Sequence, residues 1–274
     1  MNVLRPTSLR QALGMLAEEP EAVPLAGGTD LLVHWPAHHE TREATYLDLG
    51  RIAEIREHRW AEDALILGGT TTYWDLIRDP RATRDLPLLV DAARQVGAVQ
   101  IQARGTWAGN IANGSPAADA VPVLMAYDAV VVVQSERDSR EIPLSEFYLG
   151  YKEMRLADDQ LITEIRVPLA PRTNHRFDKV GSRRAQAIAK VGLATVLAED
   201  GWRVVAASLA PTVRRCPTVE ALLDSGGGAE CTLDGFETAL ATDVSPIDDI
   251  RSTAEYRRRV AARLLFFGPG SREA

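Results

Sequence analysis

The chain has 274 residues, of which 46% are hydrophobic and 25% are charged, so it can bury a sizeable core and is not expected to be disordered. Its net charge of −7 disfavours a nucleic-acid-binding protein, because such proteins carry a basic surface. No apolar run reaches the ~18 residues of a membrane span, and the N-terminal residues lack a hydrophobic signal region. We therefore expect a cytoplasmic chain with no membrane span.

Few residues are available for metal ligation. The two cysteines, Cys216 and Cys231, cannot supply the four thiolates of an iron–sulfur cluster or of a four-cysteine zinc site. In a cytoplasmic chain we expect them to be free thiols rather than a disulfide. One histidine-rich stretch lacks the His-Glu-x-x-His spacing and is predicted to be a solvated loop rather than a metal site: His34, His38, His39 and Glu40.

The first half of the chain alternates short helices and strands. A helix is expected from Leu9, capped by Thr7 or Ser8 and ended before Pro20. Apolar strands at 22–26 and 65–67 each end in a Gly-Gly pair, and a further strand is expected at 46–49. Helices are predicted over 73–77, after Thr71 or Thr72, and over 87–96. The stretch 105–116, rich in Gly, Asn, Ser and Thr, is predicted to be a loop.

The second half continues the alternation. Helices are predicted over 117–127, kinked at Pro122, and over 144–148, with strands at 130–133 and 161–167. A domain boundary is expected near 168–174, followed by strands at 177–181, 187–198 and 202–209. Helices are then predicted at 218–223, 236–240 and 253–267, the last with a solvated arginine face formed by 257–259. This order is typical of an α+β or α/β protein and excludes a β-sandwich.

Two glycine-containing segments, 24–31 and 105–119, suit the binding of an anion. Glycine lets backbone N–H groups turn inward and approach a phosphate closely, and neighbouring Ser, Thr and Asn side chains supply directional hydrogen bonds. A single Gly-Gly pair is usually a plain turn, but two such segments in one chain favour a nucleotide-like ligand. No P-loop, Rossmann fingerprint or nucleophile elbow is present. No acid–base pair is evident either, so we predict no catalytic residue.

The two segments resemble the flavin-binding motifs of a known family, the FAD-binding medium subunits of molybdenum hydroxylases such as carbon monoxide, xanthine and nicotine dehydrogenases. Ala26-Gly-Gly-Thr-Asp-Leu31 resembles the first motif, and Thr106-Trp-Ala-Gly-Asn110 with Asp119 resembles the second. The resemblance implies a two-subdomain α+β FAD-binding fold of the PCMH/vanillyl-alcohol-oxidase type over 1–170 (subdomains 1–56 and 57–170). A smaller α+β domain would follow over 171–274. Ala108 departs from the usual glycine, and an altered loop is expected there because alanine disfavours positive φ.

The resemblance also implies the residues of the FAD site. Two loops would wrap the diphosphate: Pro24, Leu25, Ala26, Gly27, Gly28, Thr29, Asp30 and Leu31 in the first, and Thr106, Trp107, Ala108, Gly109 and Asn110 in the second. Asp119 would bind ribityl or ribose hydroxyls, and Lys179 would lie near the isoalloxazine or close the cleft. Leu161 or Ile162 would pack on the adenine side and Ile188 on a flavin face, although ordinary core packing explains these three residues equally well.

The function implied is electron transfer. Electrons would pass from [2Fe-2S] clusters in a small partner subunit through FAD to an acceptor such as NAD, a quinone or oxygen, while a large molybdopterin subunit performs the hydroxylation, in a heterotrimer. One alternative is a free-standing FAD-dependent oxidase, which needs a proton-accepting residue near the flavin; His58 and His175 are the candidates. Another is an assembly subunit that no longer binds FAD.

Overall fold

The computed structural model describes residues 2–34, 44–225 and 232–269. The first sheet has three parallel strands in the order β1-β3-β2, and helices alternate with these strands along the chain. Its elements are β1 (Asn2–Leu4), α1 (Leu9–Glu18), β2 (Val23–Leu25), α2 (Leu31–His34) and β3 (Thr45–Asp48). The Ser8 side chain caps α1 by accepting a hydrogen bond from the Gln11 N–H at 3.2 Å, which satisfies one of the free donors of the first turn.

A five-stranded antiparallel sheet follows, in the order β4-β5-β10-β6-β7. Its strands are β4 (His58–Trp60), β5 (Ala64–Gly68), β6 (Val130–Gln134), β7 (Ser139–Pro143) and β10 (Leu161–Pro168). Strand β10 is the central strand, and five of its eight residues are buried. A small hairpin joins β8 (Tyr148–Gly150) to β9 (Glu153–Met154).

Six helices lie between β5 and β6: α3 (Tyr73–Ile77), α4 (Pro80–Asp85), α5 (Pro87–Gln95), α6 (Val99–Gln102), α7 (Trp107–Asn113) and α8 (Ala120–Ala126). The expectation of a loop over 105–116 is therefore wrong, because α7 occupies most of it. Its ends have the proper signals: Thr106 caps the first turn, and Gly114 ends the helix with φ +62°. The expected kink at Pro122 is also absent. Pro122 is the third residue of α8, where its missing N–H needs no intrahelical acceptor.

The C-terminal part has a four-stranded antiparallel sheet in the order β11-β12-β13-β14. Its strands are β11 (Arg172–Val180), β12 (Val191–Ala198), β13 (Gly201–Ala207) and β14 (Arg214–Arg215), and three helices follow, α9 (Pro217–Asp224), α10 (Leu233–Asp243) and α11 (Ala254–Phe266). Both faces of this sheet are buried. Alternate residues such as Ala194 and Val205 join the core shared with α8, while Leu193 and Val204 join the core formed with α9–α11.

Three further expectations concern the arginine run of α11, membrane spans and metal sites. The arginine run of α11 is not uniformly solvated, because Arg257 is only 3% exposed. In the described residues, no helix is long and apolar enough to cross a membrane, and no group of three or more His, Cys, Asp and Glu side chains is arranged to hold a metal ion. The predictions for His38, His39, Glu40 and Cys231 fall outside the described residues.

Candidate functional site

The two predicted loops meet backbone to backbone. A Cβ atom added at Gly27 would collide with the Arg104 carbonyl oxygen, so only glycine allows this approach. The neighbouring Gly28 has φ +72°, a left-handed conformation that also favours glycine. Arg104 reinforces the junction by donating from Nε to the Gly27 carbonyl at 3.3 Å. The segment after β2 and the segment before α7 are therefore in direct backbone contact.

The first loop has donors to offer a ligand. No residue within the described ranges accepts a hydrogen bond from the N–H groups of Gly27, Gly28 or Thr29. Consecutive N–H groups of this kind form an anion-binding concavity. The loop is held in place from the other side, where Asn113 Nδ2 donates to Asp30 Oδ1 at 3.0 Å. Asp30 thus joins the loops, and the backbone of the residues before it is left to contact a ligand.

The second loop turns into α7. Thr106 Oγ1 accepts from the Gly109 N–H at 3.0 Å, and a Cβ at Gly109 would lie 2.7 Å from this oxygen. Ala108 lies inside the helix and has no positive φ, so alanine is accommodated there without backbone strain. Trp107 is fully buried, packs edge-on against Tyr73 at 4.9 Å, and donates from Nε1 to the Thr72 carbonyl at 3.2 Å. Its side chain belongs to the core, and its backbone N–H donates to the Thr71 carbonyl at 3.2 Å.

Two buried oxygen atoms of the second segment have no partner. Among the described residues, neither Asn110 Oδ1 nor Asp119 Oδ1 accepts a hydrogen bond. A buried polar atom left unsatisfied costs about 1–3 kcal/mol, so such atoms in a folded protein require an explanation. Asn110 lies one turn into α7 and Asp119 directly precedes α8. Both positions belong to the second predicted motif, and a ligand with hydroxyl or N–H donors would satisfy them.

Asp119 is held by the predicted residue Lys179 of β11. Lys179 Nζ lies 2.6 Å from Asp119 Oδ2 and donates to the Gln95 carbonyl at 2.9 Å. The side chain of Lys179 is 8% exposed and that of Asp119 is 14% exposed. Burial raises the pKa of Asp119, while the Lys179 ammonium opposes this rise. The ion pair joins α8 to β11 and leaves the second carboxylate oxygen available as an acceptor.

The three apolar residues of the predicted site lie in different surroundings. Leu161 and Ile162 begin β10 and are 4% and 7% exposed, each within a hydrophobic core. Their side chains serve core packing, the alternative left open by the sequence. Ile188 is 55% exposed and lies in the loop between β11 and β12, two residues before Lys190.

The two histidines considered for proton transfer are engaged in structural contacts. His58 Nε2 lies 2.9 Å from Oδ2 of Asp79, and the other carboxylate oxygen of Asp79, Oδ1, caps α4. His175 Nδ1 lies 3.0 Å from the Tyr127 hydroxyl, and its Nε2 lies 2.9 Å from the Arg172 carbonyl. Burial lowers the pKa of His175. With Nε2–H donating to the carbonyl, Nδ1 accepts from Tyr127, so neither ring nitrogen is left for a substrate.

Several residues of the site have no sequence signal of their own. Gln95 contributes only a carbonyl oxygen, Arg104 directly precedes the second segment, and Asn113 is a variable position within it. The contacts of Arg104 and Asn113 with the first loop depend on tertiary packing. A groove between α9 and α10, lined by Thr218, Asp234 and Thr242 among others, contains none of the predicted site residues.

The fold and the junction define an FAD-binding protein of the oxidoreductase class, and comparison with known families agrees. Residues 1–170 match the FAD binding domain in molybdopterin dehydrogenase, and residues 176–268 match the CO dehydrogenase flavoprotein C-terminal domain. The chain belongs to this family of flavoprotein subunits of molybdenum hydroxylases. The predicted family, α+β fold and FAD cofactor are thereby confirmed.

Individual relatives align along almost the whole chain. A putative xanthine dehydrogenase FAD-binding subunit of Escherichia coli is 32% identical over 261 residues, covering 92% of this chain and 89% of the relative. The carbon monoxide dehydrogenase medium chain of Hydrogenophaga pseudoflava is 30% identical, covering 95% and 92%. A structure of carbon monoxide dehydrogenase from the same organism superposes with a TM-score of 0.85 at 28% identity, covering 98% of this chain and 95% of that chain.

The residues present fit FAD. Glycine at 27 lets the backbones of the two loops touch, and the N–H groups of Gly27, Gly28 and Thr29, which have no acceptor in the described residues, are donors for a diphosphate. The unpartnered oxygens of Asn110 and Asp119 provide acceptors for hydroxyl or amide donors of the cofactor.

Proposed function

We propose that this chain is the electron-transfer subunit of a molybdenum hydroxylase, taking electrons from [2Fe-2S] clusters of a small subunit and passing them to an external acceptor. A large subunit would carry molybdopterin, and NAD, a quinone or oxygen would be the acceptor, in a cytoplasmic heterotrimer. The observation that supports the proposal most is the pair of unpartnered buried oxygens beside a glycine junction. Relatives named as medium chains or FAD-binding subunits support the same assignment.

We assign the FAD contacts as follows. The backbone of Pro24–Leu31 and of Thr106–Asn110 would bind the diphosphate. Asp119 would accept from a ribityl or ribose hydroxyl through Oδ1, while Lys179 would hold the carboxylate ionised and in place. Ile188 would cover one face of the flavin with its exposed side chain, and the strand ends at Leu161 and Ile162 would border the adenine side. FAD, once bound, supplies the conversion between one-electron and two-electron transfer.

The arrangement of the sheets supports a division of the chain into three parts. The three larger sheets of the described residues take their strands from separate stretches, 2–48, 58–168 and 172–215. We propose subdomains 1–56 and 57–170 for FAD binding and a C-terminal domain, 171–274, that completes the cleft. The Asp119–Lys179 pair crosses the division near residue 170, so the C-terminal domain would contribute directly to the site.

Isolation of the tagged chain from its own cells, followed by metal and flavin analysis, tests the proposal. Molybdenum and iron should co-purify with FAD, and the flavin should be released when the protein is denatured. The alternative of a free-standing oxidase predicts the opposite: a chain that purifies alone, oxidises an organic substrate, and retains a covalent flavin after denaturation. The engagement of His58 and His175 in structural contacts favours the electron-transfer subunit.

A further inference from the structure

We propose that Arg257, on α11, is a positioning residue for the flavin site: through Ser208 it fixes the chain segments that carry Asp119 and Ile188. The inference rests on the proposed function for the identity of the ligand. It assigns a role in cofactor binding to a side chain far along the sequence from either glycine motif.

Arg257 donates hydrogen bonds to the backbone of two separate segments. Its Nη1 donates to the Lys190 carbonyl and to the Ser208 carbonyl, both at 2.9 Å, and its Nη2 lies 2.7 Å from Asp249 Oδ1. Desolvation opposes ionisation of Asp249, yet hydrogen bonds from the Arg251 and Ser252 N–H groups and from Arg257 lower its pKa to about 2. The pair is therefore charged throughout the neutral pH range.

Ser208 passes this constraint on to both sides of the cleft. Its N–H donates to the Pro116 carbonyl at 2.7 Å, and its hydroxyl donates to the Ala189 carbonyl at 2.9 Å. Ser208 has φ +63°, a conformation that a non-glycine residue adopts only when its surroundings hold it there. Pro116 lies three residues before Asp119, and Ala189 follows Ile188 directly.

The hairpin loop (residues 181–190) is tied to the site at both of its ends. The Lys190 N–H donates to the Val180 carbonyl at 2.7 Å, closing the loop one residue beyond Lys179. A Cβ at Gly181 would lie 2.6 Å from Ala187 Cβ, so the two sides of the loop are packed tightly. Because Arg257 holds Lys190 and Ser208 together, its loss would free the loop and the approach to Asp119 at the same time.

Only arginine fits this position. The guanidinium is planar and presents several donors in a fixed fork, whereas a lysine ammonium is a compact charge on a flexible stem. A lysine at 257 cannot reach two carbonyls and a carboxylate with the same geometry. The buried guanidinium contacts three segments at once, at Lys190, Ser208 and Asp249. No described residue accepts a hydrogen bond from Arg257 Nε.

The chain offers a closely matched control in Arg172. This side chain is 3% exposed, its Nε is also unpartnered, and it donates to the carbonyls of Pro168, Ala170 and Tyr127 beside Asp128. Its partners therefore have the same chemistry as those of Arg257. None of them belongs to the hairpin loop or to the segment before Asp119.

The test compares R257K and R172K in the full chain after removal of flavin. We expect both variants to lower the midpoint of thermal unfolding, because each disrupts a buried charged network. Only R257K should weaken FAD binding, measured by quenching of flavin fluorescence, with Kd raised about tenfold as for the loss of one charge-assisted hydrogen bond. It should also change the visible circular dichroism of the residual bound flavin, which reports the flavin's surroundings.

The outcomes separate the inference from the function on which it rests. Wild-type protein that binds no FAD overturns the proposed function. Wild-type protein that binds FAD, with equal Kd values for R257K and R172K, overturns the positioning role alone. If R257K does not fold, S208A takes its place, because it removes the bond to the Ala189 carbonyl and should raise the Kd for FAD. S208G also lacks the hydroxyl but relaxes φ at this position, and it should raise the Kd to the same extent. An unchanged Kd in both serine variants contradicts the inference.

Discussion

The Gly-Gly pairs at 27–28 and 68–69 each allow a close backbone contact, but they differ in what surrounds them. An added Cβ would strike the Arg104 carbonyl at Gly27 and the Ile162 carbonyl at Gly69. Around Gly69 the polar groups are satisfied: its N–H donates to Thr163 O at 2.8 Å, and the Thr70 N–H and hydroxyl both donate to Ile55 O.

In the two segments that meet at Gly27, several polar groups lack a hydrogen-bond partner. The N–H groups of the first loop find no acceptor among the described residues, and oxygens of Asn110 and Asp119 have no donor. The glycine pair by itself therefore indicates only a close approach of two backbones. The unsatisfied polar atoms beside it distinguish a binding site from a packed turn, and the predictions below test this difference.

The largest expected effect comes from removing the cation beside the unsatisfied carboxylate. K179M leaves Asp119 as a buried, unpaired charge, and breaking such a pair typically costs about 3–5 kcal/mol of unfolding free energy. In the variant, the pKa of Asp119 in the folded protein lies further above its value in the unfolded chain. The folded state then gains a proton first as the pH falls, so the deficit should be greatest at neutral pH and shrink towards pH 4.

Chemical denaturation of wild type and K179M across this pH range measures the effect. R59A, which breaks an exposed pair with Glu164, serves as the control and should cost less than about 1 kcal/mol. A K179M deficit that is small or independent of pH would contradict the burial of the Asp119 charge.

The next effect comes from filling the close contacts themselves. G27A and G69A each force a backbone shift, with an expected loss of about 1–3 kcal/mol in unfolding free energy. G27A should abolish FAD binding, because its contact belongs to the incomplete junction, whereas G69A, which presses on the Ile162 carbonyl at the edge of the proposed site, should only weaken it. Equal loss of FAD binding in the two variants would mean that the glycine pairs do not differ in function.

The smallest effect distinguishes an unpartnered atom from a paired one. N110A removes an oxygen that has no partner, so the flavin-free protein should keep its stability, while FAD affinity falls about tenfold. T70V removes the hydroxyl bond to Ile55 O and should cost about 1 kcal/mol of stability with FAD affinity unchanged. Calorimetry measures the stability of both variants, and fluorescence titration measures their FAD affinity. A reversed pattern would contradict the difference between the two glycine pairs.

The sequence predicted those parts of the molecule that depend on local pattern. The apolar strands β2, β5, β6 and β10 were recognisable, and the glycine motifs identified the family. It did not predict α7, because its polar composition obscured the helix-capping role of Thr106 and the terminating Gly114. It also misjudged Arg257, since a charged run resembles a solvated helix face until the carbonyls that Arg257 contacts are brought together by folding.

The pairing of Asp119 with Lys179 illustrates the same limit. Both residues were predicted as site residues from family motifs, but their ion pair joins positions 60 residues apart and depends on the packing of α8 against the C-terminal sheet. The absence of a partner for Asn110 Oδ1 is likewise a property of the folded chain only. Motifs can identify which residues bind, whereas the unsatisfied atoms show where the binding surface lies.

The most direct test of the central claim is the flavin content of the purified chain. Its absorption spectrum is recorded, and any flavin released by acid is identified and counted. The account predicts oxidised-flavin bands and one FAD per chain, released without a covalent bond. A colourless protein that cannot be reconstituted with FAD would contradict the assignment of the glycine junction, Asn110 and Asp119 to a cofactor site.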